Sequence, residues 1–353
     1  MTPDSSSPQI ADSQLASSKD IQRRTGRTFH VATRLLPRRI RDATYVLYAF
    51  FRVADDVVDD PDPPAPKRQY AELTHIEDAA LGRQSTDDPV LEAFRIVRER
   101  NDIPAREVKE FVSAMRRDVA TDGYETHDEL SEYLRGSSVA VANMMLYVMD
   151  PEDFDDARPH ARALAEAFQL TNFLRDVRED VSEYGRIYLP RSRLDEYGVT
   201  DEEIEQLSFT DEFAAVVRAE LDRTEKRYRE GVDGIAFLPE ECRFAVLLAA
   251  VLYADHHRLI RAQDYDVLSA RPALSTRRRL TLCARTWWHW RRTNDPRAAF
   301  DAASTLPSPR HRSDGSDRDT DQNASTTTPD DQGRSGPVRN LVNGLRSLLA
   351  SGK

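Results

Sequence analysis

Lysine is nearly absent from this chain. Of 50 basic residues in 353, five are lysines, at positions 19, 67, 109, 226 and 353, against 61 acidic residues and a formal net charge of −11. So acidic a balance argues against a general nucleic-acid binder. Arginine in place of lysine, with an acidic excess, fits a protein working in high salt, where repulsion among carboxylates is screened. Cysteine is scarce too. Cys242 and Cys283 belong to no metal-ligand or redox spacing and are expected as free thiols in a reducing compartment. No apolar run is long: the longest, residues 244–254, is about half of what a bilayer-spanning helix needs. Residues 1–19 are rich in Ser and Asp and have no apolar core, so they are no secretory signal. These absences point to a cytoplasmic protein, with at most peripheral contact at the inner face of the membrane. There is also no Walker motif, no Gly-x-Gly-x-x-Gly and no EF-hand loop, which disfavours nucleotide and calcium-sensor readings.

What is present is helix. At 39% hydrophobic residues the chain can bury a full core. Helical spacing runs from 13 to 295, punctuated by Pro37, Pro61, Pro66, Pro89, Pro104, Pro151, Pro159, Pro190 and Pro239. Period-two runs that would make a sheet are not evident, so the expectation is all-α, a single helical domain over 13–295. Residues 1–12 are expected to be disordered. So are residues 296–353, whose Asp, Ser, Thr, Arg and Gly cannot bury enough surface to fold, apart from a short amphipathic helix at 340–350.

Two acidic runs stand out: Asp55-Asp56-Val57-Val58-Asp59-Asp60, and Asn172-Phe173-Leu174-Arg175-Asp176-Val177-Arg178-Glu179-Asp180. On a helix, Asp55 and Asp59 share a face, as do Asp56 and Asp60. Like charges at this spacing cost about 0.2–0.5 kcal/mol per pair, and a helix C-terminus makes them worse. A cation would offset this; a solvated helix end is the alternative. In the second run Gln169, Asn172, Asp176 and Asp180 make one stripe beside Phe168, Leu170, Phe173, Leu174 and Val177. An amide and carboxylates next to buried apolar surface need partners. Such oxygen ligands suit Mg²⁺ or Mn²⁺ together with substrate phosphates; a structural salt-bridge stripe using Arg175, Arg178 and Arg186 is the alternative. The segment before the first run, residues 42–54, is apolar on every side, as in a helix buried among others.

Arginines lie close to both runs. Arg52 is one turn before Asp55, Arg175 precedes Asp176, and Arg23, Arg24 and Arg27 lie upstream. Guanidinium groups beside metal carboxylates would hold phosphate oxygens bidentately. Arg277 to Arg279 and Arg291 to Arg292 read instead as solvated faces. His256, His257 and His289 have no zinc spacing and read as structural. The cluster Trp287-Trp288-His289-Trp290 reads as core packing, with contact at a membrane surface the alternative.

In order along the chain, several segments resemble the phytoene/squalene synthase family of head-to-head isoprenoid synthases. They are Thr28-Phe29 with Leu35-Leu36-Pro37; Tyr48-Ala49-Phe50-Phe51-Arg52-Val53-Ala54-Asp55-Asp56-Val57-Val58-Asp59; and Tyr133-Leu134-Arg135-Gly136-Ser137. Then come the second acidic run with Gln169, Gly185-Arg186-Ile187-Tyr188-Leu189-Pro190, and Gln263-Asp264-Tyr265-Asp266-Val267-Leu268. Two positions depart from the family pattern: Thr28 where Ser is usual, and Ala142 where Gly is common.

The resemblance implies an isoprenoid-synthase fold, a helical bundle around a central cavity with both acid motifs at its mouth. By position, Asp55, Asp59, Asn172, Asp176 and Asp180 would hold Mg²⁺ or Mn²⁺. Thr25, Gly26, Arg27, Thr28, Tyr48, Arg52, Tyr133, Gln169, Arg175 and Tyr253 would contact allylic diphosphate, with Asp55, Asp59, Asp176, Arg52 and Arg175 carrying catalysis. Within that family, the Gly-Arg-Ile-Tyr-Leu-Pro segment, with no recognisable nicotinamide motif or carboxy-terminal anchor, favours condensation of two geranylgeranyl diphosphates to phytoene without NADPH, and a monomer is expected. Formation of squalene or dehydrosqualene from farnesyl diphosphate is the alternative within the family, and a noncatalytic cation-binding scaffold the alternative outside it.

Overall fold

The computed structural model describes residues 10–307 except 26 and 61, and side chains except those of 24, 25 and 27–29. Among the described residues fifteen α-helices follow one another: α1 Asp12–Thr25, α2 Arg27–Thr33, α3 Arg38–Val58, α4 Pro66–Ala80, α5 Pro89–Arg100, α6 Ala105–Asp118, α7 His127–Leu134 and α8 Ala140–Met149. They continue with α9 Phe154–Tyr184, α10 Arg191–Tyr197, α11 Asp201–Glu205, α12 Asp211–Asp233, α13 Glu240–Ala262, α14 Thr276–Thr293 and α15 Pro296–Ala303. Among the described residues the only β pairing is an isolated parallel bridge between Gly123 and Ile187. A π-helical turn, Arg135–Val139, joins α7 to α8.

Proline explains most of the punctuation. Pro66, Pro89 and Pro296 open α4, α5 and α15, where the missing N–H costs nothing, and Pro37, Pro104, Pro190 and Pro239 sit at N-caps. Pro159 does not interrupt: it lies inside the 31-residue α9. Its side is exposed, so the carbonyl it leaves unpaired can bond water.

α3 is apolar all round because it has two inner faces. Val46, Leu47, Ala49 and Phe50 are fully buried, with Phe50 stacked on Phe94 of α5 at 3.7 Å between ring centroids. Tyr48, Phe51 and Arg52 instead line a cavity. α9 runs alongside α12, and Gly231 permits the approach: a Cβ there would sit 2.6 Å from the Leu164 backbone nitrogen. α9 ends at Gly185, whose φ of 63° gives the left-handed cap that turns the chain back toward α3.

The domain does not stop at 295. α15 packs Ala299, Phe300 and Ala303 into the main core, and the compact unit extends to Leu306. Eight residues opening with Pro296 are too short a stretch to register against a polar tail. The disorder expected over 1–12 and the amphipathic helix expected at 340–350 lie outside the described residues, save that α1 already begins at Asp12.

The tryptophans divide: Trp290 packs against the main core beside Phe244, as expected, and Trp288 does not. Only Leu282, Cys283 and Thr286 of α14 are buried, whereas Trp288 is 54% exposed. His257 is structural: its Nε2 meets the Thr171 hydroxyl at 3.0 Å and its Nδ1 meets Glu225 at 3.3 Å. Both cysteines are free and buried. No described helix is long and apolar enough to cross a membrane.

Candidate active site

The cavity holds about 590 Å³ and is walled by α3, α6, α8, α9, α13 and the π-helical turn. Its deep wall is apolar, with Phe51, Phe111, Met145, Leu164, Phe168 and Val246 among the lining residues. Its polar end collects Tyr48, Arg52, Asp55, Asp59, Tyr133, Gln169, Asn172, Arg175, Asp176, Asp180 and Tyr253. Every expected site residue with a described side chain therefore lines one cavity. Thr25, Gly26, Arg27 and Thr28 lie outside the described side chains.

The first acidic run divides by face. Asp56 and Asp60 are exposed, and Asp56 pairs with Arg52 Nη2 at 2.7 Å. For these two, the solvated helix end holds. Asp55 and Asp59 turn inward, one helical turn apart. Asp55 lines the cavity and keeps its side chain 35% exposed. Burial first, and then Asp59, push its carboxyl up to about 8, with Arg52 only partly offsetting them.

The second stripe is more elaborate. Arg175 Nε donates to Asp176 Oδ1 at 2.6 Å, and Arg271, from the segment after α13, donates its Nε to the same oxygen at 2.7 Å. Arg271 also reaches Glu179 at 2.8 Å. Tyr253 of α13 shares a hydrogen bond with Arg175, and burial pushes its phenol up to about 12. Asp180 is pushed up to about 8 by burial, then by Asp176 and Glu179, with a contribution from Asp59 on the other helix. The two acid runs thus feel each other across the mouth. Of the arginines offered for a purely structural stripe, Arg178 donates to the Leu268 carbonyl at 2.6 Å and Arg186 leaves the stripe for Asp59.

Sequence reasoning missed Asp118, Arg186 as a site residue, Tyr188 and Arg271. Asp118, at the end of α6, accepts a hydrogen bond from the Tyr133 hydroxyl at 2.8 Å and is raised to about 7 by burial. Tyr133 stacks near Phe173 and Tyr188, whose rings lie 4.0 Å apart at 5°. None of these partners is a sequence neighbour, so no spacing could reveal them. The Gly185-Arg186-Ile187-Tyr188 segment was the available signal.

Among the described residues no group of three or more His, Cys, Asp or Glu side chains is placed to hold a metal ion by itself. The donors nevertheless fit a hard cation that shares its shell with a ligand. Asn172 Oδ1 is buried and unpartnered among the described residues, and Asp55 and Asp180 face like-charged neighbours in a low-dielectric wall.

The squalene/phytoene synthase family model matches residues 22–278. The phytoene synthase of Cereibacter sphaeroides is 32% identical over 278 residues, spanning 76% of this chain and 78% of that protein. That of Mycobacterium tuberculosis is 32% identical over 260 residues, spanning 73% and 85%. A dehydrosqualene synthase crystal structure superposes with a TM-score of 0.70 at 27% identity, covering 77% of this chain and 94% of that one. A squalene synthase from Alicyclobacillus acidocaldarius gives 0.63 at 25%, covering 72% and 97%. The all-α architecture is therefore the isoprenoid-synthase fold. With both acid runs, the Tyr133 segment and Arg186 inside the matched stretch, this chain belongs to the squalene/phytoene synthase family.

Proposed function

We propose that the chain is a phytoene synthase, joining two geranylgeranyl diphosphates head to head. The observation that carries this reading is a single cavity with carboxylates and arginines at one end and an apolar, aromatic wall beyond them. One end suits diphosphate and the other a prenyl chain.

Asp55, Asp59, Asn172, Asp176 and Asp180 would hold Mg²⁺ or Mn²⁺, which when bound supplies positive charge against the diphosphate as it leaves. The chain's own residues do the rest. Arg52 and Arg175 bind diphosphate oxygens and neutralise the charge that builds on the leaving group. Gln169 and Tyr253 orient them, Tyr253 through its hydrogen bond to Arg175. Tyr48, Phe51 and Phe168 exclude water from the allylic cation and face it with their rings. The second substrate's double bond attacks that cation, closing a cyclopropane with loss of one proton and one diphosphate. The cyclopropylcarbinyl diphosphate then ionises, rearranges and loses a second proton and diphosphate to give phytoene. No reductant enters this balance. From two C15 diphosphates, hydride delivery in place of the second proton loss would give squalene instead.

The likeness to a dehydrosqualene synthase structure keeps the C15 substrate as a second reading. Purified protein with Mg²⁺ in high salt, offered C15 or C20 allylic diphosphate with and without NADPH, separates them by product analysis. Hydrocarbon from C20 without NADPH is expected. Squalene formed only with NADPH would overturn the reading, and inert substrate in every mixture would favour a cation-binding scaffold.

A further inference from the structure

α14 carries Arg277, Arg278, Arg279, Arg285, Arg291 and Arg292 and no acidic residue, in a chain with a net charge of −11. Several arginines elsewhere are matched by acids: Arg95 lies between Glu92 and Glu99, and Arg191 pairs with Glu125 and Asp201. On α14, Arg278 pairs with the buried Asp255. The other five make no ion pair among the described residues.

All three tryptophans of the chain lie on this helix. Arg291 sits over the Trp287 ring at 5.6 Å, and Arg292 over that of Trp288 at 5.5 Å. Helical spacing puts Arg277, Ala284, Trp288, Arg291 and Arg292 on the exposed side, opposite the buried Leu282, Cys283 and Thr286. Burial therefore accounts for the inner face, and among the described residues no acidic side chain pairs with the outer one.

We propose that this outer face docks the protein on an anionic bilayer. Indole settles at the headgroup level of a lipid–water interface, and guanidinium there finds phosphate. The charge argument selects the partner, because an acidic protein approaches an anionic surface only through a locally cationic face. The purpose of the contact rests on the proposed reaction: its C40 hydrocarbon is insoluble in water and needs an apolar acceptor on release.

The placement of the tryptophans supplies the probe, since tryptophan emission of the full chain, excited selectively above the tyrosine band, reports α14 alone. Without substrate, vesicles of phosphatidylglycerol should shift that emission to the blue and carry the protein upward on flotation; vesicles of phosphatidylcholine should do neither. Trp288→Ser and the double variant Arg291→Gln/Arg292→Gln should each lower partitioning about tenfold. Both should keep the wild-type melting temperature and the turnover of detergent-dispersed substrate. Absence of flotation with the anionic vesicles, or flotation unchanged in both variants, overturns the proposal. So does an emission shift that follows duplex DNA, or protein concentration, instead of vesicles. Flotation through α14 in a protein that makes no hydrocarbon would sustain the docking face and overturn the reaction.

Discussion

Arg186 ties the segment leaving the second acid helix to the end of the first. Its Nη1 donates to Asp59 Oδ1 at 3.0 Å and its Nη2 to the Val58 carbonyl at 2.8 Å, so one guanidinium neutralises an acid and caps the C-terminus of α3. Removing one partner of a buried pair costs about 3–5 kcal/mol, because the other charge is left uncompensated. The Arg186 side chain is only 10% exposed, but Asp59 keeps 24%, so the lower end applies. Arg186→Met should therefore lower the melting temperature at unchanged helical content. Mg²⁺ with inorganic diphosphate should restore more of it than they add to the wild type. An unchanged melting temperature would show that water already screens the pair.

Asp55 and Asp176 test the cation assignment directly. Either one changed to Asn keeps its volume and removes its charge, and turnover should fall about 100-fold or more. The calorimetric signature of Mg²⁺ with diphosphate should weaken in parallel, while circular dichroism stays at the wild-type level. Near-normal turnover in either variant would remove that residue from the metal shell.

These two acids were legible because their spacing is local. Four residues make one helical turn, so Asp55 with Asp59, and Asn172 with Asp176, were bound to share a face wherever the helices went. Which member of a doubled pair faces inward was not legible: Asp55 and Asp56 differ only by which side of α3 the bundle covers. Asp118, Arg186 and Arg271 were hidden for a related reason, since each reaches the site from a different element. α15 was lost because its three apolar anchors, Ala299, Phe300 and Ala303, matter only once a core exists to receive them.

Glu220 should set part of the acid limit of the fold. It is 3% exposed and accepts from Arg193 Nε at 2.8 Å and His127 Nε2 at 2.9 Å, joining α12 to α10 and α7. Burial alone would raise its carboxyl, but these partners outweigh burial and hold it below the usual value. A depressed acid contributes stability that is complete above its unfolded value and is lost as pH falls through the folded one. Denaturant titrations from pH 6 down to pH 3 should thus show a steeper loss for the wild type than for Glu220→Gln. Parallel curves would remove Glu220 from the acid transition.

Salt should stabilise this protein. With 61 acidic residues against 50 basic ones, unpaired surface carboxylates repel across distances that a Debye length of about 3 Å at 1 M salt cuts off. The melting temperature should rise from 0.1 M toward molar KCl, contrary to what ion-pair screening alone would do. A fold most stable in dilute buffer would refute adaptation to high salt.

Gly136 connects the packing of the bundle to the shape of its cavity. It stands in the π-helical turn against α6, where a Cβ would come 2.4 Å from the Glu110 carbonyl oxygen and 2.7 Å from the Ala114 Cβ. Neither neighbour is the free end of a flexible side chain, so Gly136→Ala must move backbone, at about 1–3 kcal/mol. The next residues in the turn, Ser137 and Ser138, line the cavity. Displacement at Gly136 therefore reaches the prenyl-facing wall. The expected result is a lowered melting temperature together with an altered ratio of kcat/KM for C20 over C15 substrate, measured well below the transition. A destabilised variant with an unchanged ratio would mean that α6 yields to the methyl group and the cavity wall stays where it is.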